Sequence, residues 1–98
     1  MVKHIVLWKI CEGGTQEDRE AVLAEFEKKI EYLKTIIPEL KPETRVALSY
    51  VGDYHLCIDG YFDDEDAVNR YINHPEHLKV RAWLDTLQYG KTTFRYQV

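Results

Sequence analysis

Apolar positions along the chain recur first with period two and then with period three to four, and the switches between them mark out the elements. Val2 to Cys11 reads as a strand that is apolar on both faces, so both faces are expected to be covered. Val2, His4, Val6, Trp8 and Ile10 point one way; Lys3, Ile5, Leu7, Lys9 and Cys11 point the other. Glu12-Gly13-Gly14 turns the chain. Thr15 then reads as a helix N-cap, with Asp18 completing an imperfect capping box. Val22, Phe26, Ile30, Leu33 and Ile37 form one apolar stripe, and Pro38 ends the helix. Arg45 to Val51 and Tyr54 to Phe62 read as two strands around a short Gly52-Asp53 hairpin, with Gly60 marking a bulge or a close backbone approach. Asp63 is the expected N-cap of a short helix with Ala67, Val68, Tyr71 and Ile72 on one face. That helix stops near Asn73. His74 as N-cap and Pro75 at the first helical position open another, with Val80, Trp83, Leu84 and Leu87 inward and Gly90 as its stop. Thr92 to Val98 is the last strand; Thr93, Arg95 and Gln97 share one face of it, Phe94 and Tyr96 the other.

The order is β-α-β-β-α-β, with the second helix in two pieces. It predicts one α+β domain over residues 1–98, a ferredoxin-like sandwich with the helices on one face of an antiparallel sheet. Ile5, Leu7, Cys57, Phe94 and Tyr96 would make the other sheet face apolar too. An exposed patch of that kind predicts a homodimer that pairs sheet to sheet.

Charge and composition narrow the function. The net charge is −4 with scattered lysines and arginines, which speaks against a nucleic-acid groove. No apolar run approaches the ~20 residues of a membrane span. The first residues enter a strand directly, with no expected secretion signal. Cys11 and Cys57 lie in apolar strand patterns and read as small hydrophobes, which fits a reducing cytoplasm.

Candidate chemistry gathers in Tyr71-Ile72-Asn73-His74-Pro75-Glu76-His77. A histidine titrating near neutrality can take a proton beside a carbonyl, and a tyrosine can hydrogen-bond the developing enolate. Tyr71 and His77 flank the helix break, where their side chains can converge. The same run also reads as a plain helix start, with His77 bound to a backbone carbonyl and Tyr71 in the core. His74 and His77 are three apart, but Glu76 is off their face and no zinc spacing supports them, so no metal is expected. Trp8 and Trp83, at strand and helix spacing, read as core packing.

Val2-Lys3-His4-Ile5-Val6-Leu7, the Tyr71–His77 run and a final aromatic strand together resemble the stress-responsive dimeric α/β-barrel family over the whole chain. The resemblance implies ferredoxin-like protomers paired into a barrel, each with a small-molecule pocket between sheet and helices. One plant enzyme of the family is a polyketide cyclase that works by aldol chemistry without metal or cofactor. On that resemblance His77 is the acid–base group, Tyr71 assists, and His4, Val6 and Trp8 face the pocket. Arg95 stands where that enzyme has an aspartate that orients its histidine. A guanidinium cannot fix that tautomer and is expected to favour neutral imidazole or to bind an anionic ligand. Two functions follow: a small-molecule-binding barrel without catalysis, or a cofactor-free acid–base enzyme of cyclase, isomerase or monooxygenase type.

Overall fold

The computed structural model describes residues 1–98. The elements run β1 (Val2–Ile10), α1 (Gln16–Ile36), β2 (Arg45–Leu48), β3 (Leu56–Phe62), α2 (Glu65–Ile72), α3 (Pro75–Asp85) and β4 (Gln88–Gln97). The four strands form one antiparallel sheet in the order β2-β3-β1-β4. The ferredoxin-like fold read from the sequence is the fold observed.

Period two in β1 decides which side chains enter the core. Val2, His4, Val6, Trp8 and Ile10 are buried, and the intervening residues are half-buried. Leu56, Ile58 and Phe62 of β3 continue the same inner face. The α1 stripe of Val22, Phe26, Ile30 and Leu33 lies over it, with Ala67, Val68 and Tyr71 of α2 and Leu84 of α3. Phe62, Leu33, Ile37 and Leu56 are fully buried, and each such burial stabilises by about 1.5–3 kcal/mol. The opposite sheet face has no helix layer. Phe94 and Tyr96 are exposed there, beside half-buried Ile5, Leu7 and Cys57.

The α1 capping box closes fully. The Asp18 N–H donates to Thr15 Oγ1 at 3.2 Å, and the Thr15 N–H donates to Asp18 Oδ2 at 2.9 Å. Aspartate therefore performs the role that glutamate usually fills.

Several boundaries differ from the sequence reading. The hairpin is wider: β2 ends at Leu48 and β3 begins at Leu56, with Gly52 at positive φ in a loop. The N-cap of α2 is Asp64, not Asp63; Asp64 Oδ1 accepts the Ala67 N–H at 2.8 Å. Asp63 instead pairs with Lys41 at 2.8 Å. Gly60 makes no bulge. It stays in register opposite His4, and a Cβ there would lie 2.8 Å from Thr44 Oγ1, so the need is for close approach. Gly90 does not stop α3. Thr86 caps that helix and the Leu87 N–H returns to the Leu84 carbonyl at 2.9 Å. Gly90 lies within β4 beside Lys9, where the β1–β4 register shifts. No helix is long and apolar enough to cross a membrane.

Candidate functional site

The break between α2 and α3 builds the site. A helix end leaves carbonyls without partners. Were the helix continuous, the Glu76 N–H would bond to the Ile72 carbonyl. Here His74 caps α3 and its Nδ1 accepts the Glu76 N–H at 3.1 Å. The freed Ile72 carbonyl lies 2.8 Å from His77 Nδ1. A carbonyl can only accept, so His77 Nδ1 carries the proton and Nε2 presents a bare lone pair. Burial, first of all, lowers the His77 pKa, and the Arg81 and Lys91 cations add to this against the opposing Ile72 carbonyl. His77 is therefore a neutral base at neutral pH.

Tyr71, from the last turn of α2, is 3% exposed. Its ring centroid lies 4.4 Å from that of His77 and 5.2 Å from that of Phe62. Its hydroxyl and His77 Nε2 have no hydrogen-bond partner in the protein, and neither is sealed from solvent. Burial pushes the Tyr71 pKa up, so the phenol stays protonated and can donate.

His4 completes an aromatic cluster, edge-on to Phe62 at 5.8 Å and to Tyr71 at 6.5 Å. Arg95 Nε donates to His4 Nδ1 at 3.1 Å, and the guanidinium also pairs with Glu65. An arginine can only donate, so His4 Nδ1 is unprotonated and its proton is on Nε2. Burial, then the Arg95 cation, pull the His4 pKa down to about 4. Arg95 thus acts on His4, and the cations beside His77 are Arg81 and Lys91. The tautomer of His77, which a guanidinium could not fix, is fixed by the Ile72 backbone.

These groups open on a cavity of about 90 Å³ between the sheet and the helices. His77, Val80, Arg81, Leu84 and Asp85 line it from one stripe of α3, at helical spacings of three and four. Lys91, Thr93 and Arg95 line it from the inward row of β4, with His4, Val6 and Trp8 beside them on β1. The structure thus brings together all six residues singled out in the sequence. Trp83 does not reach the cavity; it packs on Phe26 beneath the Lys29 ammonium. Lys91, Arg81 and Asp85 escaped the sequence reading. Arg81 and Asp85 follow His77 by one and two turns, a signal that was available. Lys91 shares the Arg95 row but lies one residue before Thr92, where the sequence pattern begins the strand; β4 in fact starts at Gln88. No cluster of three or more histidine, cysteine or acidic side chains is arranged to hold a metal ion.

Sheet order, helix layer and pocket define a ferredoxin-like α+β protein with its candidate site at the broken second helix. The chain belongs to the stress responsive A/B barrel domain family, whose model matches residues 2–96. It is similar to a dimeric protein of unknown function from Bacteroides fragilis, with 27% identity, 99% of this chain and 95% of that one covered, and a TM-score of 0.86. A dimeric ferredoxin-like protein of unknown function from Thermobifida fusca shares 21% identity over 99% and 90% of the two chains, with a TM-score of 0.78. A hydroxynitrile lyase from Passiflora edulis shares the fold at 14% identity, 99% and 92% coverage and a TM-score of 0.77. No curated protein matches the sequence.

Proposed function

We propose that this protein is a homodimeric barrel whose protomers each bind a small molecule between sheet and helices. One observation carries the reading: Tyr71 and His77, whose hydroxyl and Nε2 make no hydrogen bond within the protein, line one cavity together with Val6, Trp8 and Leu84. A donor and an acceptor with no protein partner, at the wall of a largely apolar cavity that solvent can reach, are suited to a ligand. At about 90 Å³ the cavity is well below the ~300–1,000 Å³ of drug-sized sites, so the ligand is small or partly exposed at the mouth. Pairing through Phe94, Tyr96, Ile5 and Leu7 would cover the apolar sheet face, and the Bacteroides and Thermobifida relatives are dimeric. The two unpaired cysteines suit a cytoplasmic setting.

A second reading is favoured by the His77 tautomer. A neutral imidazole with Nδ1–H held by a carbonyl and Nε2 bare is prepared to take a proton, and the Tyr71 phenol beside it can stabilise the anion formed. That is the equipment of a cofactor-free acid–base enzyme, with His77 and Tyr71 as its catalytic residues. The same fold carries a lyase in Passiflora edulis.

A thermal-shift screen of small metabolites on wild type and His77→Ala tests the binding reading. A ligand that raises the wild-type Tm and leaves the variant unmoved supports it; equal shifts in both would place the ligand elsewhere. For the enzyme reading, NMR in D2O follows hydrogen exchange next to the carbonyl of a bound ligand. Exchange as fast with His77→Ala as with wild type would rule out His77 as the base.

A further inference from the structure

The charges around the cavity do not balance. Arg95 is committed to His4 Nδ1 and the Glu65 carboxylate. Arg81 and Asp85 lie one turn apart on α3 with 3.9 Å between their charged atoms, half exposed, a pair of little strength. Lys91 faces the same space from β4 and takes part in no ion pair. Two cations, Lys91 and Arg81, therefore share one carboxylate, Asp85. The C-terminal end of α3 adds a partial negative charge of roughly half a unit, which reduces the excess without cancelling it. Partial burial of its ammonium and the Arg81 cation lower the Lys91 pKa, with Asp85 opposing, which is how an under-neutralised ammonium behaves. Beyond this charged end the wall is apolar, with Trp8, Ile58 and Leu84.

We infer that the cavity takes a small monocarboxylate, its carboxylate on Lys91 with Arg81 and its apolar body over Trp8 and Leu84 toward His77 and Tyr71. This rests on the binding reading above and names its ligand class. The charge left over suits a monoanion; a phosphate dianion would exceed it. Arg95, the arginine that sequence reasoning offered to an anion, is not the anchor, because His4 and Glu65 already hold it.

The test is a titration followed by amide ¹H–¹⁵N spectra at pH 7, with hexanoate and its neutral isostere hexanamide as probes. Both probes are expected to shift the amides of His77, Leu84 and Thr93. Hexanoate is expected to bind wild type at least about tenfold more tightly than hexanamide, the scale of a hydrogen bond to a charged group. Lys91→Gln should abolish that preference, so that acid and amide bind the variant equally. Lys91 is exposed, so the fold should survive, and the spectra themselves report it. Equal wild-type affinity for acid and amide would overturn the carboxylate inference and leave the pocket standing. A preference that survives Lys91→Gln would overturn Lys91 as the anchor. Shifts from neither probe would overturn this inference together with the binding reading.

Discussion

Tyr71→Phe separates a functional hydroxyl from a structural one. In a folding core, removing a buried and bonded tyrosine hydroxyl strands its partner and costs about 1–3 kcal/mol. Here the residue is 3% exposed and its hydroxyl has no partner in the protein. Deleting that oxygen leaves nothing stranded and removes a polar group held in a largely apolar wall. The ring contacts with Phe62 at 5.2 Å and His77 at 4.4 Å are retained. Stability should therefore stay level or rise by up to about 1 kcal/mol, which in a domain of this size is up to about 4–8 °C in Tm. Tyr71→Ala loses the ring as well and should cost about 3–5 kcal/mol, which calibrates the site. Urea unfolding of the three proteins at equal protein concentration gives both differences. A loss above about 1 kcal/mol for Tyr71→Phe would mean that the hydroxyl is bonded in the fold, and the case for a ligand-facing phenol would fail.

Three further outcomes follow from the same structure. His4 has a folded pKa of about 4 against an ordinary 6.5, so below pH 6.5 the unfolded chain takes up a proton that the folded chain refuses. Its stabilisation is full above pH 6.5 and declines by up to about 3 kcal/mol toward pH 4, with His77 acting in the same direction; His4→Gln, which keeps an acceptor for Arg95, should flatten the decline in urea melts across that range. Gly60→Ala places a Cβ 2.8 Å from Thr44 Oγ1 and 3.1 Å from Thr44 Cγ2, so denaturation should register a loss of about 1–3 kcal/mol, most of it restored by adding Thr44→Ala. Phe94 is 63% exposed on the bare sheet face, so Phe94→Glu should leave the protomer folded and give a monomeric mass by light scattering at micromolar concentration; a persistent dimer would mean that the chains pair through another surface.

Much of the fold was legible because its periods are clean. Alternation in β1 put His4, Val6 and Trp8 on one face, the family resemblance turned that face toward the pocket, and the α1 stripe grouped Phe26 and Ile30. Boundaries slipped where neighbouring residues compete for one role. Asp63 and Asp64 are equally good caps by type, and only the distance to Ala67 against that to Lys41 separates them. Gly90 looked like a helix stop because glycine serves that purpose so often, whereas here it accommodates Lys9 across a register shift. The candidate site was legible as a cluster and not as a circuit. Proximity of Tyr71 to His77 follows from the proline break, but that His74 would take the Glu76 N–H and release the Ile72 carbonyl to His77 depends on backbone geometry. The partner of Arg95 was likewise a matter of register: pairing of β1 with β4 sets it opposite His4, whose Nδ1 takes its Nε–H.

The central claim is that His77 holds a neutral imidazole with Nε2 bare toward a ligand-accessible cavity. Long-range ¹H–¹⁵N spectra of the histidine rings at pH 7, recorded with and without hexanoate, read that claim directly. The predicted result is a His77 ring protonated at Nδ1 alone, whose Nε2 resonance moves when the ligand is added. A ring protonated at Nε2, a charged ring, or an Nε2 resonance that hexanoate leaves in place would contradict it.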